Sequence, residues 1–118
     1  MTAHLEKAKE LGNAVGRTEE YQAVKRAIQA ADEDRELATL RTELEKLEAG
    51  IEASLRAGQE PDAPTAAAYE AAVGRLQANP GYQRLVAAQT NFDKMMARVN
   101  QAIAQGMEEG GSSRIILA

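Results

Sequence analysis

Leu5, Ala8, Leu11 and Val15 recur at steps of three and four residues, the spacing of one face of an α-helix, and Gly16 comes next as a stop. The pattern predicts a helix over residues 3–15. Thr18 is placed to cap a second helix, with Glu19 and Glu20 in the first turn, where the helix dipole favours negative charge. Tyr21, Val24, Ile28 and Ala31 form the stripe of that helix. The stripe then slips, because the next apolar set is Leu37, Leu40, Leu44, Leu47, Ile51 and Leu55. The slip falls at "ADEDRE", where Asp32 is a candidate N-cap, so a kink or short break is predicted near residues 31–34. Gly58 and "QEPDAPT" make a linker, and Thr65 can cap the next helix.

Beyond the linker, Tyr69, Val73 and Leu76 mark that helix, interrupted by Asn79-Pro80-Gly81. Asn79 suits an N-cap, and Pro80 suits the first helical position, where its missing N–H would have had no partner. A long stripe then appears in Leu85, Phe92, Met95, Met96, Val99 and Ile103, and the predicted helix runs to about Gly106. The two halves align without gaps at an offset of 48 positions, which pairs Tyr21 with Tyr69, Leu37 with Leu85, the break at Asp32 with Pro80, and Gly58 with Gly106 as closing residues. Each half then reads as a short helix, a capped break and a long helix.

These spacings predict an all-α protein. A helix over residues 80–106 is roughly 40 Å long, more than the ~35 Å diameter of a compact globule of this size, so an elongated form is expected. The near-heptad stripes suit antiparallel packing of two long helices, with shorter ones beside them. Val86, Met96 and Met107 widen the last stripe beyond a two-helix seam, which predicts a bundle completed by homodimerisation. The expected core or dimer interface is Leu37, Leu44, Ile51, Leu85, Phe92, Met95, Met96, Val99 and Ile103. Residues 1–107 are expected to form one helical domain.

Composition changes this picture little. Of 118 residues 44% are hydrophobic but only 3% aromatic, a helix-forming usage carried by Ala and Leu. The net charge of −4 gives no basic surface for phosphates, so direct nucleic-acid binding is not expected. With no cysteine, disulfides, thiolate nucleophiles and Cys-held metals are excluded from this chain. No run approaches the ~18 apolar residues of a membrane span, and the N-terminus lacks a signal-like apolar core, so a cytoplasmic location is expected.

Candidate chemistry is sparse. His4 is the lone histidine and sits near a terminus; no Glu-x-x-His pair, phosphate loop or serine elbow is present. The acidic clusters at residues 32–34 and 43–48 read as a capped kink and a solvated helix face. No catalytic, metal or cofactor residue is therefore assigned. Gln89, beside the Leu85 and Phe92 seam, is either a register-setting hydrogen bond or a partner contact. The tail over residues 108–118 carries Gly110-Gly111-Ser112-Ser113, a flexible composition, and then Ile115 and Ile116, which either dock on a neighbour or fold back.

The segments "TEEYQAVKRAIQAADEDREL" and "LQANPGYQRLVAAQTNFDKMMARVNQAI", with Gly58 between them, resemble the YlbF/YmcA family of small helical bacterial regulators, over roughly residues 3–107. Glu20-Tyr21, Asn79-Pro80 and the Leu85, Gln89, Phe92, Val99, Ile103 series carry the resemblance, and YheA-like proteins share much of it. It implies a non-enzymatic, self-associating regulator or adaptor that acts through protein partners. In the best-known members the partner complex influences RNase Y-dependent messenger processing, and through it competence, sporulation and biofilm formation. Some such complexes hold iron–sulfur clusters through cysteines, which this chain lacks. The alternative expectation is a chaperone-like or structural coiled-coil module that shields apolar client segments.

Overall fold

The computed structural model describes residues 2–117, with side chains for residues 2–112. It contains five α-helices, α1 (Ala3–Gly16), α2 (Glu19–Asp32), α3 (Arg35–Arg56), α4 (Ala63–Ala78) and α5 (Pro80–Leu117), and no strand among the described residues.

The helix ends are set by side chains that satisfy backbone groups no helix can satisfy itself. Thr18 Oγ1 accepts from the N–H of Tyr21 at 3.2 Å and donates to the Val15 carbonyl at 2.7 Å, which ties the start of α2 to the end of α1. The chain breaks again at Glu33-Asp34. Here the structure corrects the expected cap: Asp32 is the last residue of α2, and the Asp34 carboxylate accepts from the N–H of Leu37 at 3.1 Å. An N-cap needs extended backbone, which Asp34 has (φ −86°, ψ 109°) while Asp32 still lies in helix. That register keeps Ala31 inside α2 and brings Leu37 and Leu40 to the buried side of α3.

Gly58 ends α3 in the left-handed region (φ 73°). Its N–H donates to the Leu55 carbonyl at 3.0 Å and that of Gln59 to Ser54 at 2.9 Å, the paired closure of a Schellman motif. A second correction falls at α4. Thr65 is not the cap but its partner: Asp62, in extended backbone, accepts from the Thr65 N–H at 2.8 Å, and Pro64 occupies the first turn.

The third correction concerns α5, which runs on to Leu117 where a close at Gly106 and a flexible tail from 108 were expected. Gly106 therefore closes nothing. Gly106, Gly110 and Gly111 keep negative φ. Glycine weakens a helix by about 1 kcal/mol per site but stops it only where the chain turns left-handed, and no proline comes after them to force that.

Two compact units result, one formed by Lys25–Val86 and the other by the chain up to Val24 and from Ala87 onward. In the first, the short connection after Gly58 folds α4 back antiparallel on α3, and an Arg75–Glu43 ion pair bridges the two helices. Stripe spacing pairs α3 with the long last helix; within this unit the helix lying along α3 is instead α4. The core is small: Ala31, Leu37, Leu40 and Ala72, with the buried polar Asn79. Glycine at 81 lets the first turn of α5 approach the start of α3, since a Cβ there would stand 3.2 Å from Asp34 Oδ2 and 3.4 Å from Leu37 Cδ1. In the second unit no described residue is buried.

Candidate interaction surface

The Lys25–Val86 unit carries an apolar trough of about 410 Å³. Leu37 and Leu44 supply one wall from α3, Tyr69, Val73 and Leu76 the other from α4, and Tyr82 and Leu85 close one end from α5. Arg41, Glu45 and Glu48 edge it along α3. The start of α5 is aimed into this trough by Asn79, only 4% exposed, whose side-chain oxygen accepts from the Tyr82 N–H at 2.9 Å. The neighbouring Gln83 fixes the same turn by donating to the Gln77 carbonyl at 2.8 Å.

The other unit has a shallower cleft of about 420 Å³ lined by Glu19, Glu20 and Ala23 of α2 and by Asn91, Lys94, Met95 and Arg98 of α5. Two acidic and two basic side chains share it, so the cations of this stretch of α5 face carboxylates of the same unit. Tyr21 meets Phe92 beside it, ring centres 5.9 Å apart and tilted by 56°.

The expected interface residues divide between the units. Leu37 is buried, Leu44 and Leu85 line the trough, and Ile51 is half-buried on α3. Phe92, Met95, Met96 and Val99 are half-buried along α5, while Ile103 is 43% exposed. Gln89 is exposed and its amide donates to Asp93 Oδ1 at 2.9 Å, a bond along its own helix. Ile115 and Ile116 lie outside the residues whose side chains are described.

Sequence reasoning missed the end of the trough, and a signal for it was present. Thr18 and Asn79 each have Tyr and Gln three and four positions later, and both sites make the same bonds. The Tyr N–H reaches the cap oxygen, and the Gln amide reaches the carbonyl two residues before the cap, Gln22 to Gly16 at 2.8 Å and Gln83 to Gln77 at 2.8 Å. The structural recurrence thus has an offset of 61, not the 48 that aligned the apolar stripes. The α5 stripe itself is better described by an 11-residue period, Leu85, Met96 and Met107 with Phe92 and Ile103, than by heptads. Eleven residues over three turns is close to the natural helical repeat, so α5 keeps its stripe on one side without a left-handed supercoil.

Among the described residues no cluster of three or more His, Cys, Asp or Glu is placed to hold a metal ion, and no helix is long and apolar enough to cross a membrane. His4 is exposed on α1. The resolved carboxylate perturbation is structural: Asp62 is held below the ordinary aspartate value by its hydrogen bonds from the side chain and backbone of Thr65.

Five helices joined at side-chain caps, with an apolar trough in the Lys25–Val86 unit, define an all-α protein. Residues 4–108 match the family model for control of competence regulator ComK, YlbF/YmcA, and the chain belongs to that family. The family is a regulatory one, linked to control of ComK. A search of curated proteins found no match.

Proposed function

We propose that the protein is a non-enzymatic, cytoplasmic regulator that self-associates as a homodimer and acts as an adaptor, taking an amphipathic helix of a partner protein into the trough of the Lys25–Val86 unit. The observation that carries the reading is the trough: seven apolar or aromatic side chains from three helices edged by Arg41, Glu45 and Glu48. Such a lining selects a partner helix by its aliphatic anchors and orients it by charge at the edge.

Family membership supports regulation through other proteins, and favours a complex that modulates RNase Y-type messenger processing and, through it, competence, biofilm formation and sporulation. The net charge of −4 supports action on RNA through the partner rather than by direct contact.

Affinity capture from the native cell tests this with Val73→Glu, a half-buried trough residue, beside the wild type. The expected outcome is one dominant partner recovered by the wild type and lost by the variant, with helical content by circular dichroism unchanged. Broad, salt-insensitive capture of unfolded proteins by both would replace the adaptor reading with a chaperone-like one.

A further inference from the structure

The trough of the Lys25–Val86 unit has two unlike ends. Close approach at Gly81 sets the head of α5 against Leu37, so Tyr82 and Leu85 close the trough where α3 begins. The other end is set by the antiparallel hairpin. Arg75 of α4 is bonded to Glu43 of α3, so Tyr69, six positions before Arg75, comes level with the residues about six positions after Glu43. Tyr69 and Glu48 accordingly line the same end, and Glu45 joins them from one turn back on the same side of α3.

The charge at this end is unanswered. Elsewhere on α3, Glu43 pairs with Arg75 and Glu52 with Arg56, and in the other unit's cleft Glu19 and Glu20 face Lys94 and Arg98. Glu45 and Glu48 are exposed and make no ion pair or hydrogen bond among the described residues. Arg41, the basic residue of the lining, lies one turn nearer the closed end.

We infer that Glu45, Glu48 and Tyr69 form a seat for a lysine or arginine side chain of the partner helix. Two carboxylates supply the countercharge, an aromatic ring attracts a cation to its face, and the apolar wall at Leu44 and Val73 takes the alkyl stem. Arg41 repels a second cation toward the closed end. The occupant is therefore an amphipathic helix polarised along its length, with aliphatic anchors toward Leu37, Leu76 and Leu85 and a basic residue about two turns away. This rests on the trough as the partner site and adds the chemistry of the partner and its direction.

Two fluorescein-labelled, Ala-based helical peptides test it by fluorescence anisotropy against the full chain. Both carry Leu at i and i+4; one has Lys and the other Glu at i+7. The Lys peptide is expected to bind roughly tenfold more tightly at low salt, with the preference shrinking as salt screens the exposed carboxylates. Glu45→Gln combined with Glu48→Gln should bring the two peptides within about twofold of each other, while Glu36→Gln, on α3 outside the trough, should leave the preference unchanged. Val73→Gln should weaken both peptides, since it removes apolar wall without altering charge. Equal binding of the two peptides, still weakened by Val73→Gln, overturns the seat and keeps the trough; a preference that survives the double glutamine variant does the same. No binding, or binding indifferent to Val73→Gln, overturns the trough reading and the seat with it. A wild-type dimer that Val73→Gln dissociates in sedimentation assigns the trough to a second copy and overturns both. Circular dichroism of each variant separates lost binding from unfolding.

Discussion

Lys25–Val86 and the rest of the chain are both helical and draw on the same Ala, Leu, Ile and Val side chains, yet every buried residue described lies in the first. The difference comes from connection rather than composition. In Lys25–Val86 a left-handed glycine and a six-residue connection, residues 57–62, return α4 along α3. Two helices joined by so short a connection pack antiparallel at little loop-closure cost, and the fully buried Ala72 is small enough to let them approach. The other unit joins α1 and the start of α2 to the distal part of α5, segments separated by more than sixty residues of sequence, and no hairpin brings its apolar faces together. A helix stripe without a neighbour stays on the surface, whatever its hydrophobicity.

The largest test of this contrast is truncation on either side of it. Leu40 is the large side chain that is fully buried, at 2% exposure, and Leu40→Ala should cost about 2–5 kcal/mol in chemical denaturation. Leu5→Ala, studied at concentrations low enough to keep the chain monomeric, should stay within about 0.5 kcal/mol. Equal costs would break the comparison, because they would require a hidden core around α1.

A finer test compares the two matching caps. Asn79 is buried where Thr18 is partly open, so Asn79→Ala should cost about 1–2 kcal/mol and lower Tm by several degrees, with Thr18→Ala nearer 0.5 kcal/mol. Thermal unfolding tracked by circular dichroism reads both; a reversed order would mean that burial adds nothing to the cap.

The smallest effect concerns the hairpin connection itself. Because the folded state lowers the Asp62 pKa from 3.8, its contribution is complete above that value and is lost as pH falls through the lower folded value. A slight loss of stability is expected below about pH 4, and Asp62→Asn should remove it. An unchanged acid limb in that variant would show that the Thr65 bonds contribute no pH dependence.

Local chemistry determined what lies within one turn of a residue. Helix periodicity, the glycine that ends α3, and Asn79 with Pro80 at the head of α5 are all visible in the amino-acid order. Each depends on neighbours three or four positions away. Where several residues could serve, the order was not enough. Asp34 rather than Asp32 caps α3, and Asp62 rather than Thr65 caps α4, because backbone conformation at the junction selects among adjacent oxygens. The three late glycines illustrate the same point, since their composition permits either a stop or a continuing helix. Which stripe faces which belongs to the tertiary structure alone. An apolar period states that a helix has a side to cover, while chain connection and close approach at Gly81 decided that α3 is covered by α4 and that the head of α5 completes the trough.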